Sequence, residues 1–588
     1  MKRLTKKVIS KIAPEGSLRR AYVKKITKPH QPSTLDYLNW IDHYEKNLLK
    51  ADRSTLKDAD VLISVVVPSY NTPDKYLKPL IESFINQTYL NWQLVLVDAS
   101  DNKTRSDAIK QAAGIDERIK YKRLSSNLGI ALNTNEGISI ADGEYVGFTD
   151  HDDTLSPFAL QEVVKVIKLY PETDLIYSDE DKLSDDGKTR QLPLFKPDWS
   201  PDLLLGVNYI THFVVARKKI ISEIKGLRKG FDGAQDFDFL LRFTEKTDKI
   251  KHIPKILYHW RLAEGSTAKN VGEKNYADDA GQRALKDAVK RRGMKADVIE
   301  IKDRPTNYRL KYSIPNNQPL VSIIIPFKDK ADLLKQCVGS ILDKSTYKNF
   351  EVILLSNNSL EKETHYYLDE VRDNGKCRVI EWNKPFNYSA INNFGAKKAK
   401  GDYLVLLNND TEVITPDWLE ELIGVASQPG VGAVGPMLFY PDETIQHAGV
   451  VLGMNTMAGH VFRRLVPGQW TDFGLPDWPR NYLAVTGACL VIERKKYLKM
   501  GGLDEEFTIA GNDVALGIKL HESGYRNVYW PFARLVHYEN VSVGSYNNVP
   551  QRDYDHSLDY YKPYLNWGDP YFNPNLSLMS EQISLREK

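Results

Sequence analysis

Ile63-Ser-Val-Val-Val-Pro-Ser-Tyr-Asn71 and Val321-Ser-Ile-Ile-Ile-Pro326 are one motif written twice in the same chain. Each is a β-branched run that ends at proline, the pattern of a strand buried on both faces and its exit turn. An amphipathic helix is predicted after each. Leu77, Leu80, Ile81, Phe84 and Ile85 recur at i, i+3, i+4, i+7 and i+8, and Leu334, Cys337, Val338, Ile341 and Leu342 repeat that spacing. Second apolar strands follow within 89–97 and 347–355. A third pair is Tyr145-Val-Gly-Phe-Thr-Asp150 and Tyr403-Leu-Val-Leu-Leu-Asn408. Pro68 stands as far from Asp150 as Pro326 does from Asn408, and equal spacing over several elements is hard to obtain by chance.

Strand–helix–strand alternation predicts an α/β fold: two tandem domains, each a mostly parallel sheet flanked by helices. The expected divisions are a basic, helix-prone segment over 1–60, domain one over 61–268, a charged connector over 269–318, domain two over 319–548, and an extension rich in Tyr, Asn and Pro over 549–588. In sheets of this kind ligands bind outside the carboxyl ends of the strands. Polar residues stand there: Ser69, Tyr70 and Asn71, then Asp98, then Asp150, Asp152 and Asp153.

Bulk properties narrow the class. A chain of 588 residues is too long for one core, and 42% hydrophobic content suits packed domains rather than disorder. A net charge of +3 argues against a nucleic-acid binder. Cys337, Cys377 and Cys489 lack metal-ligand spacing and fit a reducing compartment. No signal peptide or bilayer-length apolar run is legible, so a cytoplasmic placement is expected. Residues 2–28 carry ten Lys or Arg against one acid, Glu15. Such an arm either rests on an anionic membrane face or is a solvated terminus.

The carboxylates suggest chemistry. Asp150 and Asp152, at i and i+2 on a turn leaving a strand, can converge on Mg²⁺ or Mn²⁺, which prefers oxygen ligands and keeps substrate phosphates in its shell. An Asp-x-Asp also occurs in plain surface turns. Asp236 lies at an expected helix start, where backbone N–H groups favour an acid. It is there either as a cap or as a general base. His259, in Tyr258-His-Trp-Arg261, would complete a metal shell or is an ordinary core histidine. The second half repeats the layout: Asn408-Asn-Asp410 for Asp150-His-Asp152, Asn512-Asp513 for Gln235-Asp236, and His537 for His259.

Taken together, these residues resemble the inverting glycosyltransferases of family 2, which have the GT-A (Rossmann-like) fold, and among them the bacterial two-domain members that build O-antigen, capsule or rhamnan-type polysaccharide. The resemblance rests on Val65-Val-Val-Pro-Ser-Tyr-Asn71, Asp150-His-Asp-Asp153, Ile176-Tyr-Ser-Asp-Glu-Asp-Lys182, Phe195-Lys-Pro-Asp-Trp-Ser200, Gln235-Asp236 and Leu257-Tyr-His-Trp-Arg261. In the second half it rests on Phe386-Asn-Tyr-Ser-Ala-Ile-Asn392, Leu406-Leu-Asn-Asn-Asp410, Gly501-Gly-Leu-Asp-Glu-Glu-Phe507 and Asn512-Asp513. It implies that Pro68, Ser69, Tyr70, Asn71 and Asp98 hold the nucleotide, with Pro326 at the matching place in the second half. Asp150 and Asp152 would bind the metal and the donor diphosphate, and His259 would be a further diphosphate or metal contact. Asp410 would bind metal in domain two with His537, the partner of the diphosphate there, and Asp236 and Asp513 would be the catalytic bases. The donor implied is a nucleotide sugar and the acceptor a glycan or lipid-linked glycan, at the inner face of the cytoplasmic membrane.

Three departures stand out. Ser356 takes the place of Asp98, Asn408 that of Asp150, and Ala515 that of Asp238. They weaken the expectation of donor binding by domain two. Two other readings share the features: a nucleotidyltransferase, which would release pyrophosphate, and one catalytic domain joined to a glycan-binding scaffold.

Overall fold

The computed structural model describes residues 34–49, 60–263, 271–539 and 549–587. The described residues fall into two compact units that divide between Leu310 and Lys311.

In the first unit the β-branched run of residues 63–67 is fully buried and forms β1 (Ile63–Ser69). It is followed by β2 (Trp92–Asp98), β3 (Ile119–Arg123), β4 (Tyr145–Phe148), β5 (Thr154–Leu155), β6 (Leu175–Leu183), β7 (Arg190–Leu194), β8 (Val214–Arg217) and β9 (Ile250–Arg261). The sheet order is β3-β2-β1-β4-β8-β6-β9-β5, with β7 beside β6. From β3 to β4 every pairing is parallel. Beyond β4 the sheet is mixed: β8 is antiparallel to both neighbours, whereas β6 and β9 are parallel. The 3-2-1-4 order is that of a mononucleotide-binding half-sheet, with its ligand crevice at the carboxyl ends of β1 and β4.

The helix over Asp74–Ile85 buries Leu77, Leu80, Ile81 and Phe84 against that sheet. Ile85, read from the spacing as a core position, is 38% exposed, because it is the last helical residue and the chain turns away after it. A further helix, Thr34–Leu49, docks on the same unit. Its Trp40 meets Phe195 edge-on, and Glu45 pairs with Arg190. The ribbon of β10 (Ala296–Glu300) and β11 (Tyr308–Tyr312) follows.

The second unit begins its sheet with β12 (Val321–Phe327), β13 (Phe350–Ser356), β14 (Cys377–Glu381), β15 (Tyr403–Leu407), β16 (Thr411–Val413) and β17 (Val431–Phe439). Then come β18 (Ile445–His447), β19 (Val450–Leu452), β20 (Ala458–His460), β21 (Arg480–Tyr482), β22 (Cys489–Glu493) and β23 (Arg526–His537). The order β14-β13-β12-β15-β22-β17-β23-β16 is the first sheet again. The registers coincide as well. Ser69 pairs with Asp98 and Phe327 with Ser356; Val66 pairs with Phe148 and Ile324 with Leu406.

Two glycines show how closely the copies match. A Cβ at Gly137 would lie 2.3 Å from Val66 Cγ1, and one at Gly395 would lie 2.7 Å from Ile324 Cγ2. Each helix therefore needs glycine to approach its central strand. The three cysteines are buried free thiols. Among the described residues, no helix is long and apolar enough to cross a membrane. Residues 2–28, the basic arm, lie outside the described residues.

Candidate active site

The exit of β1 is tied to the exit of β2. Tyr70 Oη and Asn71 Nδ2 donate to the two oxygens of Asp101 at 2.8 and 2.7 Å, and Asn71 takes a left-handed φ of 50° to reach it. Asp98 is fully buried. It accepts from Ser100 N at 2.9 Å, from Tyr121 Oη at 2.8 Å, and from Ser106 Oγ. Burial alone would raise this carboxyl, but the donors outweigh it and hold the group below the usual range. Asp98 thus organises the loop beside Tyr70 and Asn71.

The loop after β4 brings acids together. Asp150 is pushed up to about 7, first by burial, then by the charges of Asp152 and Asp236. Asp153 is fully buried and pins the loop to β9, accepting from Arg261 N at 2.7 Å and from Tyr258 Oη. Arg261 Nε donates to the Asp152 carbonyl at 2.6 Å. Asp236 sits in the first turn of the helix Gln235–Phe243, whose cap is Ala234 and makes no side-chain bond. Its Oδ2 accepts from Asn208 Nδ2 at 2.9 Å. Burial raises its carboxyl, with Glu180 adding to the shift, against the helix N–H groups and Asn208. Three acids singled out in the sequence therefore lie near enough at the strand ends for Asp150 to feel the charges of the other two.

His259 is engaged differently. Its Nδ1 lies 2.7 Å from Asp181 Oδ1 and its Nε2 3.1 Å from Ser156 Oγ, so both ring nitrogens are already hydrogen-bonded. Asp181 also accepts from Tyr37 Oη and Arg190 Nε, each at 2.6 Å. The neighbouring Glu180 accepts from Lys182 Nζ at 3.0 Å, Lys196 Nζ at 3.2 Å and Thr211 Oγ1 at 2.5 Å. Burial opposes its charge, yet the two lysines hold it far below the usual range. The sequence reading gave no role to this triplet, Asp179–Asp181. Its signal was present: consecutive acids inside an otherwise apolar strand require buried partners. Those partners, Arg190, Lys196 and His252, come from other segments. Asp238 is likewise structural, clasped by Arg242 at 2.8 Å and by Arg228. Its replacement by the buried Ala515 in the second unit thus removes an ion-pair clasp.

Among the described residues, no group of three or more His, Cys, Asp or Glu forms a preassembled metal cage. Mg²⁺ or Mn²⁺ needs only one or two carboxylates when phosphates and waters complete its shell. Asp150 and Asp152 suit that role, since their repulsion is what a cation would relieve.

In the second unit, Asp513 Oδ2 accepts from Gly487 N at 2.7 Å and Oδ1 from Val514 N at 2.9 Å. Burial again raises the acid. Three successive N–H groups, Thr508 to Ala510, donate to the buried Asp553 of the helix Gln551–Trp567, which fixes the loop before Asp513. His537 Nε2 is 3.3 Å from Asp410 Oδ1 and 3.4 Å from Asn408 Nδ2. Thus Asp410 and His537, both read from the sequence as metal ligands, face each other. Pro326 pairs with Leu355 as Pro68 pairs with Val97. Ser356 Oγ, where Asp98 gathers its donors, is buried without a hydrogen-bond partner among the described residues.

This tandem arrangement has a family. The profile of glycosyl transferase family 2 matches residues 64–225 and 322–496, and the chain belongs to that family. It is similar to the O-antigen biosynthesis protein RfbC of Myxococcus xanthus, with 42% identity over 95% of this chain and 44% of that protein. It is also similar to the uncharacterized protein y4gI of Sinorhizobium fredii, with 41% identity over 88% of this chain and 58% of the relative. The chain thus spans about half the length of these relatives. A crystal structure of GalNAc-T7 with UDP, GalNAc and Mn2+ aligns at 20% identity over 44% of this chain and 51% of that one, with a TM-score of 0.36.

Proposed function

We propose that the chain is an inverting glycosyltransferase that moves sugar from a nucleotide-sugar donor to a hydroxyl of a growing cell-surface glycan, of the O-antigen kind named for its Myxococcus relative. The observation that carries this reading is the gathering of Asp150, Asp152 and Asp236 at the strand ends, close enough for the first to feel the other two. Residues 61–268 and 319–548 are the two catalytic domains of this reading. Pro68 to Asn71, with Asp98 behind them, cradle the nucleotide, and Pro326 marks the matching crevice. Asp150 and Asp152 would hold a divalent cation, which when bound neutralises the charge of the departing diphosphate.

Asp236 takes the proton from the acceptor hydroxyl, and that oxygen attacks the anomeric carbon as the nucleoside diphosphate departs on the opposite side. The raised carboxyl of Asp236 matches a general base better than an ordinary surface acid does. His259, held by Asp181, is a positioning neighbour at the base of the Asp150–Asp153 loop. Asp513 plays the part of Asp236 in the second unit. The enzyme would work at the cytoplasmic membrane face, where lipid-linked acceptors are met, with residues 2–28 as a basic contact.

A scaffold role for the second unit is favoured by Ser356 and Asn408. Against it weighs Asp513, kept in a buried setting that raises its carboxyl as in Asp236. The test is a screen of nucleotide sugars with purified chain and glycan acceptors. Release of nucleoside diphosphate with glycan extension is expected. Release of pyrophosphate would make the chain a nucleotidyltransferase and overturn the reading.

A further inference from the structure

The loop that leads into β8 of the first unit carries a histidine that the mechanism leaves unused. β4 and β8 run antiparallel with Phe148 opposite Val214, and two residues further along that register Asp150 stands opposite His212. The His212 ring stacks on Tyr258, with 4.4 Å between centroids and 15° between planes, and Trp260 meets it edge to face at 5.3 Å. Tyr258 Oη in turn accepts from Asp150 N at 3.2 Å and donates to Asp153. Earlier in the same loop, Asn208 donates to Asp236. His212 is therefore tied on one side to the Asp150–Asp153 loop and on the other to the segment that holds the proposed base.

Buried charges fix this loop. His212 N donates to Glu180 Oε2 at 3.1 Å. Lys196 Nζ, paired with the same oxygen at 3.2 Å, donates to the carbonyls of Ile210 and His212 at 2.6 and 2.5 Å. Both partners of the pair are fully buried. An ion pair taken out of water is a poor source of stability, so its presence is better explained by what it orients. The ring it orients is half-buried, and neither ring nitrogen has a hydrogen-bond partner among the described residues. His252 and His259 of the same sheet differ, with both ring nitrogens engaged. Polar groups in protein interiors are normally satisfied, and an exception beside a catalytic crevice points to a ligand.

The ring's chemistry selects the ligand. Burial holds His212 down to about 4, so at physiological pH it offers one N–H and one bare nitrogen. A sugar hydroxyl, which both donates and accepts, matches that pair, whereas a diphosphate only accepts. In-line displacement also requires the transferred sugar to lie between the diphosphate and the base. That is the interval between Asp150 and Asp236. The second unit differs at both members of the opposed pair: Asn408 N donates to the Ala488 carbonyl at 3.0 Å, so Asn408 and Ala488 stand where Asp150 and His212 stand.

We infer that His212 reads the donor's sugar in the first unit, hydrogen-bonding one of its hydroxyls from a loop oriented by Glu180 and Lys196, and that the second unit lacks this contact. This rests on the reading of the first unit as a donor site, and it names the residue that sets which sugar the site accepts.

The experiment is calorimetric titration of the full chain in MnCl₂, with Asp410→Ala in the background to weaken the second unit's cation site. The probes are UDP, dTDP and GDP, and then UDP-glucose, UDP-N-acetylglucosamine, dTDP-rhamnose and GDP-mannose. At least one sugar-linked nucleotide is expected to bind. His212→Phe keeps a ring against Tyr258 but removes both nitrogens. It should weaken that ligand about tenfold, the loss of a hydrogen bond that leaves a hydroxyl unmet. The matching nucleoside diphosphate should change by less than about twofold, which also reports an intact fold. His212→Gln loses the stacked ring but keeps a donor and an acceptor, so it should bind the sugar form better than His212→Phe; a packing role gives the reverse order. A sugar form held by His212→Phe as tightly as by the histidine, or a nucleoside diphosphate weakened as much as its sugar form, overturns the inference and leaves the donor-site reading standing. If none of the sugar-linked nucleotides binds, the donor-site reading itself fails, and the inference with it.

Discussion

Replacing each proposed base in turn separates one active site from two. Asp236→Asn removes the proton acceptor; its carboxylate accepts from Asn208 Nδ2, 2.9 Å from Oδ2, and from helix N–H groups, so the single oxygen of the amide leaves a donor unmet. Asp513→Asn is alike, because Gly487 N and Val514 N each use one carboxylate oxygen, at 2.7 and 2.9 Å. The amide offers one oxygen only, so one N–H loses its acceptor, at a cost of about 1–3 kcal/mol. A general base contributes roughly 10²- to 10⁴-fold, or about 3–5 kcal/mol of barrier. Each variant should therefore stay folded by circular dichroism and lose its own step by at least a hundredfold. The assay is diphosphate release together with mass analysis of the glycan. Two sites acting in sequence would stop the glycan at different points in the two variants. Wild-type products at wild-type rate from Asp513→Asn would make the second unit a scaffold and refute the reasoning.

Further outcomes follow from the same contacts. Asp152→Ala should abolish metal-dependent transfer by the first unit without unfolding it, checked with Asp513→Asn in the background; normal transfer would remove Asp152 from the site. Because Asp236 is raised, the first unit's kcat/KM should fall as pH drops through a point above the ordinary aspartate value of about 3.9; a pH–rate profile with Asp513 silenced reads this, and a midpoint at or below that value contradicts it. Asp98 is held below its ordinary value, so its stabilisation is present above about pH 4 and lost as pH falls further; Asp98→Asn should flatten the acid limb of the unfolding curve, measured by chemical denaturation. Deleting residues 1–28 should weaken sedimentation with anionic vesicles, and salt should do the same to the intact chain; unchanged binding at low salt would leave the arm a solvated terminus.

The repeat was legible because it is periodic. Strand runs ending at Pro68 and Pro326, helices at 3.6 spacing and equal separations fix the order of elements, and the registers of both sheets follow it. The acids at strand ends were legible for the same reason, since chain direction alone puts Asp150 and Asn408 at the crevice. Local sequence could not say which polar groups find each other across the fold. His259 reads either as a metal ligand or as a core histidine, and only β6 brings Asp181 to its Nδ1; Asp238 reads as an acid in the first turn of a helix, and only the fold brings Arg228 and Arg242 to it. Those partners lie from 4 to 78 residues away along the chain. Periodicity is a property of the chain, so the sequence alone determined the two α/β copies and their crevices. Charge pairing is a property of the packed interior, so only the tertiary structure decided which acids are ion-paired.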